Sequence, residues 1–151
     1  MTHQDFQNDY QTAKDVFALH GINSDLLVFS GSTGQYSQAQ NAARNLFEGA
    51  LLAGDNATNT FGGDPYNIEQ YRVGTDYPFE INTLKGLIDN LNETQGWMVW
   101  MLHTSNSAIW NSSVPETLGQ AIDYAKELNI SIVSARQGFE YFYVNSEADS
   151  D

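Results

Sequence analysis

The apolar run Trp97-Met98-Val99-Trp100-Met101-Leu102 delivers an imidazole, His103, at its C-terminal end. A short run of this kind reads as a buried strand. In parallel α/β folds the catalytic groups stand where such strands stop, so His103 is placed for chemistry. An imidazole titrates near neutral pH and suits the giving or taking of a proton at a reacting atom. The plain alternative is a strand-end histidine bonded to neighbouring backbone.

Two other histidines and one arginine complete the candidates. His3, in Met1-Thr2-His3-Gln4-Asp5-Phe6, opens a helical pattern, and a neutral imidazole is a good ligand for zinc-like ions. His20 falls in the last turn of the same pattern, where the macrodipole favours it, and reads as structural. Arg72 follows Tyr71 at the end of a strand pattern; its plain reading is a salt bridge to one of the 19 acidic residues. The Gly- and Ser-rich turn Ser30 to Gly34 lacks the Lys-Ser/Thr of a phosphate loop and carries no basic charge. Tyr36, Tyr66 and Trp110 lie in or beside loops and could stack on sugar rings. Aromatic residues more often pack, and only Trp110, in a polar loop just past His103, rises above that reading.

The elements that must position these residues follow from periodicity. Phe6, Tyr10, Ala13, Val16, Phe17 and His20 predict a helix capped by Gly21, and Leu26 to Phe29 a strand. Ser37 caps a helix reaching about Glu48, with Ala39, Ala42, Ala43, Leu46 and Phe47 inward, and Ala50 to Ala53 is the next strand. Gly54 to Pro65 is a polar loop of a length that is usually functional or mobile. Ile68 to Val73 reads as a strand, and Pro78 starts a helix with Ile81, Leu84, Leu87, Ile88 and Leu91 on one face. After strand Trp97 to Leu102 come a helix over Pro115 to Leu128, a β-branched strand Ile130 to Val133 and an amphipathic segment Gln137 to Tyr143. This alternation predicts an α/β fold with parallel strands and helical crossovers. About five strands are too few for a closed barrel, so the expectation is a partial (β/α) barrel with open edges prone to self-association.

Composition narrows the classes. The 151 residues, 41% hydrophobic and 13% aromatic, suffice for one domain with a core. A net charge of -13 disfavours nucleic acid and anionic membranes as partners. No window is apolar enough to span a bilayer, no signal peptide pattern opens the chain, and no cysteine is present for disulfides or thiolate ligands. The acidic stretch at residues 146–151 reads as a disordered tail after a domain over residues 1–145. Sequons at Asn56, Asn92, Asn111 and Asn129 fall in an Asn-rich chain and are read as chance.

The order of these motifs resembles the C-terminal portion of a NodB-like polysaccharide deacetylase, from His3 to about Tyr143. The resemblance rests on Met1 to Phe6 as the end of a His-Ser/Thr-x-x-His motif, on the Phe29 to Gly34 turn, on Arg72, and on the strand ending in His103. It departs at Ser30, where that family has proline, and at Trp100, where it has leucine. It implies a metal-dependent hydrolase of N- or O-acetyl groups on a glycan of the cell wall type. His103 would be the general acid and Arg72 the residue orienting a catalytic carboxylate. His3 would be one ligand of a divalent metal, by preference zinc, and Ser30, Gly31, Trp100 and Trp110 would line the substrate groove. The first metal histidine and the aspartates of that family have no counterpart in the sequence. The expectation is therefore a fragment of a secreted or surface protein, with weak or absent metal binding and no activity alone. The alternative is a non-catalytic, carbohydrate-binding or structural remnant; a serine hydrolase is disfavoured because no Gly-x-Ser-x-Gly elbow occurs.

Overall fold

The computed structural model describes residues 2–29, 36–52, 58–73, 79–102 and 114–145. The elements are α1 (His3–Leu19), β1 (Leu26–Phe29), α2 (Tyr36–Ala43), β2 (Gly49–Leu52), β3 (Gln70–Val73), α3 (Ile81–Thr94), β4 (Val99–Leu102), α4 (Val114–Glu127) and α5 (Ala135–Phe139). A π-helical turn, Glu140–Val144, continues α5.

The strands pair in parallel, β1 with β2 from Leu26↔Gly49 to Phe29↔Leu52, and β3 with β4 from Gln70↔Val99 to Val73↔Leu102. A parallel bridge between Leu51 and Ile68, with the Ile68 N–H donating to the Ala50 carbonyl at 3.1 Å, links the two pairs. The strands therefore lie side by side in sequence order. No closed barrel is present among the described residues.

Side chains alternate across this sheet, as the pleat requires. On one face Leu27 and Ala50 meet Phe6 and Tyr10 of α1 and Ala39, Ala42 and Ala43 of α2. On the same face Tyr71, Trp100 and Leu102 meet Leu84 and Ile88 of α3 and Ala121 and Ala125 of α4. The opposite face, with Leu26, Leu51, Ile68 and Val99, is covered by Trp97 and by Phe139, Phe142 and Tyr143. Arg136 ties this cover to the N-terminal ends of the strands: its guanidinium reaches Glu140 (2.7 Å), Glu48 just before β2 (2.6 Å) and Asp25 just before β1 (3.5 Å).

Local chemistry fixes the helix ends. Thr2 and Asp5 form a reciprocal capping box at α1, and the Thr2 backbone N–H holds the Asp5 carboxyl below its ordinary range. At the other end Gly21, at φ 68°, and Ile22 donate to Ala18 and Phe17, which satisfies the last carbonyls. Asn129, at φ 59°, does the same for α4, with Ile130 donating to Ala125.

Three expectations are corrected. Ile130 to Val133 is not a strand: the Ile130 N–H is used by the α4 cap, and Ser134 opens α5 with its own capping box. The intervening residues belong to no helix or strand and pair with no strand among the described residues, with Ile132 56% and Val133 45% exposed. Helix α1 buries Phe6 and Tyr10 alone, since among the described residues Val16 and Phe17 stay 48% and 42% exposed. Helix α2 ends at Ala43, and Phe47 reaches the core from the turn beyond it.

Candidate functional site

A parallel sheet in sequence order brings the C-terminal ends of its strands to one edge. Phe29 lies beside Leu52 there, and Val73 beside Leu102. Ser30 and His103 are the next residues in sequence after Phe29 and Leu102. His103, Ser30, Gly31 and Trp110 lie outside the described residues, as does the acidic stretch at 146–151.

Arg72 occupies β3 opposite Met101, and Tyr71 stands opposite Trp100. Trp100 is half-buried and packs toward α3 and α4, with its indole N–H donating to the Met98 sulfur at 2.7 Å. This packing commits part of its ring to the helical layer.

His3 is exposed on the first turn of α1. Among the described residues no group of three or more His, Cys, Asp or Glu side chains comes together to hold a metal ion. The described residues thus do not supply the ligand set that zinc requires, at least three protein groups. His20 stands exposed at the C-terminal cap of α1. Tyr66 donates its hydroxyl to the Phe47 carbonyl at 2.7 Å and carries the Arg44 guanidinium over its ring, so its polar and apolar surfaces are both engaged in packing.

Two polar residues went unnoticed in the sequence. Asn59, 6% exposed, donates from its side-chain amide to the carbonyls of Glu69 and Trp97 and accepts from the Glu69 N–H. It fastens the described part of the Gly54 to Pro65 loop to the residues just ahead of β3 and β4, through an isolated bridge between Asn59 and Trp97. Nothing in the sequence distinguishes Asn59 from Asn56 or Asn67. Gln70, 3% exposed, keeps its amide nitrogen without a hydrogen-bond partner among the described residues. A signal for Gln70 existed, because alternation from Ile68 puts a polar side chain on an apolar face.

Among the described residues no helix is long and apolar enough to cross a membrane. Compared with known proteins, the chain matches no family model, no curated protein and no solved structure.

Proposed function

We propose that the chain is part of a NodB-type deacetylase domain, a partial (β/α) barrel acting on acetyl groups of a glycan. The observation that carries this reading is the parallel, sequence-ordered sheet. Three of the resembling motifs belong to strands that end at one edge, with β1 preceding Ser30 and Gly31, β3 holding Arg72 and β4 preceding His103. Active groups of α/β folds gather at that edge.

In the proposed reaction water adds to the acetyl carbonyl, the bond from that carbon to the sugar nitrogen or oxygen breaks, and acetate departs. A carboxylate that Arg72 orients takes the proton of the attacking water, and His103 gives its proton to the leaving nitrogen or oxygen. No step is assigned to a metal, because no group of three or more His, Cys, Asp or Glu side chains gathers among the described residues. The second reading is a glycan-binding module without catalysis.

The test is acetate release from acetylated chito-oligosaccharides and acetylated xylan, with zinc supplied, alongside binding of the same glycans. Release that falls about a hundredfold or more in His103→Ala supports the enzyme, since a lost general acid has that scale. Release unchanged in His103→Ala removes His103 from the reaction. Binding without release moves the protein to the second reading, and neither binding nor release defeats both.

A further inference from the structure

Among the described residues, the two outer strands of the sheet each lack a partner along one side. Among the described residues β1 pairs only with β2 and β4 only with β3, so each presents a row of main-chain donors and acceptors at an edge. Parallel sheets are ordinarily covered on both faces and bounded by protected edges, and an open apolar edge is a template for another strand.

The surroundings of the two edges match. Beside β4 lies a groove of about 1000 Å3, walled by Trp97, Val99, Ala121, Ile130, Ile132 and Val133 among others, and none of its lining residues is charged. In a chain where 17% of residues are charged, that selects an uncharged occupant. Strand β1, Leu26-Leu27-Val28-Phe29, is such a segment, and Val28 on it is 64% exposed. Its direction fits as well, because β1 and β4 run the same way and their outer edges offer the two halves of a parallel ladder.

We propose that copies of this chain join head to tail, the outer edge of β1 in one copy pairing in parallel with the outer edge of β4 in the next. Pairing β4 with β4, or β1 with β1, about a twofold axis would leave the other edge open in each copy. The head-to-tail contact uses both, and closes to a ring or runs on according to the rotation between copies. Opposing it is the net charge of -13 on each copy. Association therefore strengthens with salt, as the Debye length shortens from about 10 Å at 0.1 M to about 3 Å at 1 M. The inference stands on the sheet alone and is independent of the proposed activity.

Sedimentation analysis of the full chain tests it with Val28→Lys and Ile132→Lys, both at exposed side chains, their folding checked by circular dichroism. The wild type forms species of two or more copies, increasingly so at high salt, whereas each variant alone remains a monomer. Mixed in equal amounts, the variants form dimers, because one brings an intact β4 edge and the other an intact β1 edge. A wild type that stays monomeric at every salt and concentration overturns the proposal. So do variants that associate like the wild type, or a mixture that stays monomeric. Should either variant fail to fold, amide hydrogen exchange on the wild type decides. Protection at Leu26–Phe29 and Val99–Leu102 rises with protein concentration if the edges pair, and its constancy refutes pairing.

Discussion

Asn59 and Trp97 exchange two backbone hydrogen bonds, of 2.9 and 2.8 Å, and the Asn59 side-chain amide adds a third to the Trp97 carbonyl at 3.0 Å. The pair lies just ahead of β4, with its two strands antiparallel to each other, in a sheet whose named strands are all parallel. It substitutes for a helical crossover over the described part of the β2 to β3 connection.

Asn59→Ala therefore removes an acceptor from the Glu69 N–H and withdraws the side-chain donors from the carbonyls of Glu69 and Trp97. A buried polar group left unsatisfied costs about 1–3 kcal/mol, and the expected loss is about 2–4 kcal/mol in all. Urea unfolding reads it directly. A midpoint within error of the wild type would show that the loop is held by something other than this amide.

Tyr10 is 6% exposed and its hydroxyl has no hydrogen-bond partner among the described residues. Burial, reinforced by the neighbouring Asp9, pushes its pKa up to about 12 from an ordinary 10.0. The unfolded chain thus loses this proton first, and the stability it contributes is intact below pH 10 and declines as the pH rises toward 12. The shift corresponds to about 2–3 kcal/mol at 1.36 kcal/mol per unit. In Tyr10→Phe that alkaline decline should shrink, while stability at neutral pH stays equal or rises by about 1 kcal/mol, since an unpaired hydroxyl is removed. Denaturant melts at pH 7 and across pH 10–12 check both; an unchanged alkaline limb rules Tyr10 out as its source.

Gly138 lies against the Trp97 indole so closely that a Cβ would collide with ring atoms. Trp97 is 8% exposed and stacks on Phe142 at 6.0 Å, so the ring has little freedom to yield. Alanine gains up to about 1 kcal/mol of helix propensity over glycine, and overpacking a core costs about 1–3 kcal/mol. The clash wins, and Gly138→Ala should lower stability by about 1–2 kcal/mol and alter the near-ultraviolet tryptophan bands. A gain in stability would mean that α5 can slide away from Trp97.

Arg136→Ala should lower the thermal midpoint, because it brings Asp25, Glu48 and Glu140 together without their shared cation. Hydrogen bonds to Glu140 and Glu48 raise the pKa of the guanidinium, so it stays charged at any pH of interest. The loss should be greater at low salt than at high salt, since these groups are partly exposed and screened. Equal losses at both would point instead to the seat of the guanidinium over the Phe139 ring.

The sequence is legible where one physical signal dominates. Leu84 and Ile88 recur at helical spacing and are both buried in α3, and Gly21 ends α1 at a backbone angle that glycine adopts freely. Reading fails where elements compete. Ile130 to Val133 has strand composition, yet helix caps at Asn129 and Ser134 claim the backbone on either side of it. Val16 and Phe17 keep the helical period, but only packing partners make an apolar stripe a core face, and these sit at Phe6 and Tyr10. Of the candidate site, the shared edge at which β1 and β4 end follows from the alternation of strands and helices. Asn59 carried no such signal, because its bonds join residues up to 38 apart.

The cover over the inner face of the sheet sets a timetable for biosynthesis. Asp25, at the foot of β1, and Arg136, which anchors the cover, are 111 residues apart in the chain. A ribosome emitting residues in order presents Leu26, Leu51 and Ile68 long before Phe139 and Phe142 exist to shield them. During that interval the nascent sheet exposes an oily surface, the kind of transient species that chaperones intercept. Loss of the last few aromatic residues would thus prolong a hazardous stage of synthesis as well as weaken the finished molecule.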